Sequence, residues 1–130
     1  MNLELAGKVA IITGAGRMRS IGRPIAKTLG QAGAAVVITG TGRRPADYPQ
    51  DEKAAGWRDI ESVADEVRQA GARCLPLVSD IRDENAVEQT VQRTVAEFGR
   101  LDIVINNASA ARGPDRVPSP NHLKLGSCPT

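Results

Sequence analysis

The chain has 130 residues, 41% hydrophobic and 25% charged, and its formal net charge of +2 is carried by residues 110–130, where Arg112, Arg116 and Lys124 stand against Asp115. The rest is neutral overall, which argues against a partner held by bulk charge, whether nucleic acid or an anionic membrane surface. No apolar run reaches the roughly 18 residues of a membrane span, the N-terminus has no basic and apolar leader, and two cysteines and one histidine make neither a disulfide framework nor a Cys/His metal site, so the expectation is a cytoplasmic globular protein.

Three aromatics, Phe98, Trp57 and Tyr48, leave the core to aliphatic side chains. Val9-Ala10-Ile11-Ile12 predicts a first strand, followed by a glycine-rich turn. Ile21, Ile25, Thr28, Leu29 and Ala32 recur at helical spacing, and Gly33 ends that pattern as a C-terminal cap residue would. Pro24 fits if the helix starts near Ser20, because first-turn N–H groups have no intrahelical partner. Ala35-Val36-Val37-Ile38 predicts a second strand, and residues 41–57, with Pro45 and Pro49, read as a long polar connection. Ile60, Val63, Ala64 and Val67 predict a second helix ended by Gly71. Cys74-Leu75-Pro76-Leu77-Val78 is the third strand, and its proline argues for an edge position or a strand end; Cys74 is expected to pack as a small hydrophobe. Asp83 can cap a helix carrying Val87, Val91, Val95 and Phe98 on one stripe and ended by Gly99. Leu101–Ile105 is the fourth strand.

Strands alternating with helices predict parallel βαβ units, and continuous apolar strands fit a sheet covered on both faces. Right-handed crossovers then give an open α/β, Rossmann-like, doubly wound parallel sheet of about four strands in the order 3-2-1-4. The pattern divides the chain into a Rossmann-like half-domain, 1–109, and an irregular tail, 110–130, which holds four of the eight prolines.

The turn Thr13-Gly14-Ala15-Gly16-Arg17-Met18-Arg19-Ser20-Ile21-Gly22 follows a strand and opens a helix. Glycine there lets the backbone approach a ligand, and the helix N-terminus offers free N–H groups and a positive dipole end, so the turn is a candidate pyrophosphate site. A phosphate-binding P-loop is disfavoured, since no Gly-Lys-Ser/Thr follows. The end of strand two, where a dinucleotide site usually carries an acid for a ribose 2′-hydroxyl, reads Thr39-Gly40-Thr41-Gly42-Arg43-Arg44. The missing acid and the guanidinium groups of Arg43 and Arg44, with Arg17, Arg19 and Arg23 nearby, favour NADP over NAD; the plain alternative is a set of solvated loop charges. Asp80 follows strand three on the rim where open α/β sheets bind ligands, and could accept from an adenine amino group or serve as a helix-start acid beside Asp83. Asn106-Asn107-Ala108 ends strand four on the same rim.

Together these residues resemble the short-chain dehydrogenase/reductase family, over about residues 5–109. The resemblance implies that Thr13–Gly22, with Thr13, Gly14, Gly16, Arg17, Ser20, Ile21 and Gly22 as its contacts, holds the pyrophosphate. It implies that Asp80 and Ile81 contact adenine and that Asn106, Asn107 and Ala108 stabilise the sheet and border the nicotinamide-side ribose, and Thr41 and Arg43 of the loop after strand two are further cofactor-binding candidates. The spacing Gly14-x5-Ser20-x-Gly22 departs from the family's common Thr-Gly-x-x-x-Gly-x-Gly loop and is similar to the variant loop of enoyl-acyl-carrier reductases, and Ser109 stands where a glycine often follows Asn-Asn-Ala. The family's catalytic serine and its Tyr-x-x-x-Lys lie downstream of Asn-Asn-Ala. Here the sole tyrosine, Tyr48, has Glu52 four residues on, and Pro118-Ser119-Pro120 interrupts the expected long helix. The expectation is therefore the cofactor-binding half of an oxidoreductase acting between NADP(H) and a carbonyl or alcohol, with the catalytic segment absent from this chain through a frame shift or cut near residues 112–120. A non-catalytic dinucleotide-binding module or a non-functional fragment is the alternative. The uncovered edge of strand four predicts self-association.

Overall fold

Val9–Ile12 forms β1, and all four of its residues are buried. The structure, a computed structural model, describes residues 4–108; the expected tail 110–130 lies outside them. Helix α1 (Gly22–Gln31) follows the glycine turn, with Pro24 as its third residue, inside the first turn where its missing N–H costs nothing. The chain leaves α1 through Gly33 at φ +104°, a left-handed exit that a Cβ would strain. Next come β2 (Ala35–Gly40), α2 (Gln50–Ala55), α3 (Ile60–Gln69), β3 (Cys74–Val78), α4 (Glu84–Phe98) and β4 (Ile103–Ile105).

The four strands make one parallel sheet in the order β3-β2-β1-β4, as the alternation predicts. Pro76 sits in β3 opposite Ile38. Because β3 is an edge strand among the described residues, its proline withholds no N–H that an outer neighbour there would need. On one face, α1 and α3 pack Ala26, Ile60, Val63, Ala64 and Val67 against Ile12, Val36, Ile38 and Cys74. Burial pushes the Cys74 thiol up to about 12, so it is the neutral small hydrophobe expected there. The reversal of direction between β3 and β4 carries α4 to the opposite face, which Ile11 and Val37 reach by the pleat.

Two expectations fail, each for a physical reason. The stripe Val87, Val91 and Val95 does not face the core; these residues are 40%, 39% and 44% exposed. The helix buries Thr90 and Thr94 instead. Their hydroxyls donate to Ala86 O (2.9 Å) and Thr90 O (2.7 Å), so each threonine reaches the interior with its polar atom already bonded. Residues 41–57 are also more than a polar connection. Pro45 opens a short 3₁₀ turn, Pro45–Asp47, and Pro49 caps α2. Both prolines stand at helix starts, where their fixed φ is favourable, rather than breaking structure. Double coverage of the strands holds for β1 and β2, whereas β4 leaves Val104 54% exposed.

Candidate functional site: the rim at the carboxyl ends of the strands

At the carboxyl end of β1 the chain is fastened to the end of β4. Thr13 N donates to Ile105 O (3.1 Å). Thr13 Oγ1 accepts from the N–H groups of Asn107 and Ala108, each at 3.1 Å, and Asn107 Nδ2 donates to Gly14 O at 3.0 Å. Gly14 turns there at φ +67°, and a Cβ on it would come within 2.6 Å of Ala108 Cα. Glycine is thus required twice at this position, for its conformation and for close approach. Gly22 is held in the same junction: a Cβ on it would meet Asn107 Nδ2 at 2.7 Å.

The turn then leads into α1, where the N-cap residue Ile21 offers no side-chain cap and the first turn has no acid. The opening N–H groups and the positive dipole end are left without an internal counter-group, which suits an anion. Ser20 Oγ donates to Arg17 O (3.0 Å), closing the turn ahead of the helix.

Residues 43–59 brace this turn from the side. Trp57 Nε1 donates to Gly16 O (2.7 Å), and Glu52 Oε2 accepts from Met18 N–H (2.9 Å). Arg43 lies between Glu52 and Asp59: its Nε and Nη2 donate to Asp59 Oδ1 at 3.0 and 2.6 Å, and its Nη1 stands 3.0 Å from Glu52 Oε1. That last pair is close enough for an ion pair but misaligned for a hydrogen bond, so both atoms are buried without one. The three side chains are 12%, 3% and 9% exposed in the order Arg43, Glu52, Asp59. Burial alone would pull the Arg43 guanidinium down, but its hydrogen bonds to Asp59 and the negative charges of Asp59 and Glu52 outweigh that and hold it above its ordinary value. Tyr48 stacks beneath Arg43, ring centroid to Cζ 4.7 Å, and burial, then the nearby Asp59 charge, push its phenol up. Asp59 takes φ +60°, the one such non-glycine among the described residues, and its carboxylate lies against Gly16, where a Cβ would meet Cγ at 2.7 Å.

These elements enclose a cavity of about 350 Å³ at the carboxyl ends of the strands. Of the residues singled out from sequence, Gly14, Gly16, Arg17, Ser20, Thr41, Arg43, Asp80, Ile81, Asn107 and Ala108 line it. Thr13 lies behind the lining as the fastener just described. Gly22 is likewise packed into the loop, and Ile21 projects into a separate open groove beside Arg23 and Lys27. Asp80 accepts from Arg82 through Nε (3.0 Å), Nη2 (2.8 Å) and backbone N–H (2.9 Å), and these bonds, side chain first, hold its carboxyl down to about 2. The helix-start role falls to Asp83, whose Oδ1 accepts from Asn85 N–H at 2.9 Å.

Sequence reasoning missed Gly40, Asp59, Ser79 and Arg82, which share the lining. The spacing to β2 could have pointed to Gly40 and the position before Asp80 to Ser79. Asp59 had no such signal, because its place depends on the folded 43–59 segment. Two proposed cations differ from the solvated picture in opposite ways. Arg43 is already engaged by two carboxylates, while Arg44 is exposed and paired with Asp47 (3.0 Å).

A model of the short chain dehydrogenase family matches residues 8–122. The sequence is 35% identical over 126 residues to a 12alpha-hydroxysteroid dehydrogenase from a Clostridium species, covering 92% of this chain and 44% of that protein. It is 41% identical over 112 residues to a cyclohexanol dehydrogenase from a Rhodococcus species, covering 86% and 40% respectively. Among solved structures, a short chain dehydrogenase from Mycobacterium thermoresistibile superposes with a TM-score of 0.70 at 35% identity over 93% of this chain and 40% of its own. A hydroxysteroid dehydrogenase from Escherichia coli superposes with a TM-score of 0.67 at 33% identity over 90% and 43%. The chain therefore spans less than half the length of these relatives.

Proposed function

Because this chain belongs to the short chain dehydrogenase family, we propose that it is the dinucleotide-binding portion of an oxidoreductase that moves hydride between NADP(H) or NAD(H) and a carbonyl or alcohol group of a small molecule. The observation that carries this reading is a cavity at the strand ends lined by Gly14, Gly16, Arg17 and Ser20 of the turn that leads into the uncapped α1, with that turn fastened to Asn107 and Ala108. The cavity adjoins the place where the strand order reverses, between β1 and β4. Open α/β sheets bind nucleotides at such a switch point.

The turn residues Gly14, Gly16, Arg17 and Ser20 would hold the pyrophosphate, with Ile21 and Gly22 at the helix start. Asp80 and Ile81 would border adenine, and Asn107 and Ala108 the ribose on the nicotinamide side. A bound nicotinamide supplies the hydride chemistry; the residues described here bind and orient it. The basic loop after β2 is the sequence feature that favours the phosphorylated cofactor, whereas the engagement of Arg43 by two carboxylates supports the unphosphorylated one. Tyr48 is no proton donor for a substrate, since it lies buried under Arg43. We assign proton transfer to residues other than those described.

The test is titration of the chain with NADH, NADPH and ADP-ribose, followed by the fluorescence of Trp57, its only tryptophan. Saturable quenching by at least one nicotinamide dinucleotide is expected, with ADP-ribose competing. A folded sample that binds none of the three overturns the reading. Carbonyl reduction by this chain alone would overturn the assignment of proton transfer elsewhere.

A further inference from the structure

Resting on the reading of the cavity as a dinucleotide site, we propose that Asp59, at the start of α3, selects the dinucleotide without a 2′-phosphate. The end of β2 has no acid: Thr41 occupies the position from which a carboxylate would face the adenosine ribose. The fold nevertheless brings a carboxylate to that wall, 18 positions later in sequence. Asp59 lines the cavity with Gly16, Gly40 and Thr41. Its Oδ2 stands 3.2 Å from the place a Gly40 Cβ would occupy, and both of its bonds to Arg43 fall on Oδ1. Oδ2 is thus the oxygen available to accept from a ribose hydroxyl.

The charge balance points the same way. Arg43 lies between Asp59 and Glu52, so the buried group of three carries one net negative charge. A 2′-phosphate would add up to two more beside it, in a site where water screens poorly. To serve such a phosphate Arg43 would have to leave Asp59, stranding a buried carboxylate. The remaining cations do not restore the balance. Arg82 is engaged by Asp80 and Arg44 by Asp47, and Arg17 belongs to the turn that faces the pyrophosphate. Asp59 is also held at φ +60°, an orientation of the chain that a free loop would not keep. Trp57, two residues earlier, fixes it by bonding Gly16 O.

Dissociation constants for NADH and NADPH, read by Trp57 fluorescence and by calorimetry, test this on the intact chain. NADH is expected to bind at least about tenfold tighter than NADPH, since like-charge juxtaposition at a buried site exceeds the free energy of one decade. Asp59→Asn keeps the shape and tolerates the positive φ, and is expected to cut that ratio at least about threefold by releasing Arg43. Should the variant fail to fold, ADP against 2′,5′-ADP as competitors on the unaltered chain gives the same comparison, with ADP the stronger. NADPH binding as tightly as NADH, or an unchanged ratio in a folded Asp59→Asn, overturns the role of Asp59 and leaves the dinucleotide site standing. Failure of every nucleotide to bind overturns both.

Discussion

Gly14→Ala would place a Cβ 2.6 Å from Ala108 Cα on a residue at φ +67°. Strain of this kind costs of order 1–3 kcal/mol, and the fastening of β1 to β4 must shift to relieve it. The expected outcome is a lower urea midpoint together with loss of dinucleotide binding; a variant that binds normally would show that the close approach is dispensable. Glu52→Gln removes the charge between Arg43 and the Met18 N–H, and breaking a buried ion pair on one side costs about 3 kcal/mol. Its thermal midpoint should fall by several degrees, and a midpoint within one degree of the parent would place little weight on that pair. The acid limb of stability should reveal the carboxylates. Hydrogen bonding by Arg23, opposed by partial burial and helped by its charge, holds Glu66 below the usual glutamate range. A carboxyl lowered in the folded chain contributes only while ionised. That contribution is complete above its unfolded value, near about 4.3, and disappears as pH falls through the lower folded value. Unfolding free energy should therefore be level from neutral pH to about pH 5 and fall below it, with a shallower fall in Arg23→Met. At this scale Gly14, Arg17, Asp80 and Asn107 were legible because each follows a strand end at short range. Asp59 was not, since a residue made part of a cavity wall by a bend at φ +60° has no local pattern to announce it.

The α4 helix separates a helical period from the direction in which it packs. Its valines recur at the right spacing, yet Thr90 and Thr94 are the residues it buries. Threonine satisfies its own hydroxyl on a preceding carbonyl and then behaves as a small β-branched apolar group, which a hydrophobic pattern leaves out of the count. Val63, fully buried in α3, and Val91, 39% exposed in α4, accordingly differ in expected cost. Val63→Ala should lower the unfolding free energy by about 2 kcal/mol, and Val91→Ala by about 0.5 kcal/mol or less. Equal losses in urea melts would contradict the packing described. The segment 43–59 was missed for a related reason. Pro45 and Pro49 read as parts of a polar connection, but they start helical turns, and Gly56 ends α2 at φ +68°. Local breakers mark where elements begin and end as often as where structure is absent.

For the molecule as a whole, the order β3-β2-β1-β4 was legible because alternating elements and right-handed crossovers leave few topologies. Coverage of the outer strands was not, since it depends on what lies beyond them rather than on their own sequence. β4 pairs with β1 alone among the described strands and presents Val104 at its surface. We propose that the 130-residue chain self-associates through this edge. Light scattering should give a mass that rises with concentration, and Val104→Lys should suppress the rise; a monomer at all concentrations would overturn the proposal. The bond from Val9 N to Asp102 Oδ2 joins positions 93 apart, and it carries a temporal consequence. During synthesis β1 emerges first, acquires β2 and β3 on one side, and then waits for its second neighbour. Counted from the emergence of β1, at roughly 5–20 residues per second that neighbour arrives on the order of 5–20 s later, and until then a strand interior to the described sheet is an outermost strand. The nascent chain is therefore most vulnerable to wrong pairing along Ala10–Ile12, the segment best protected once folding ends.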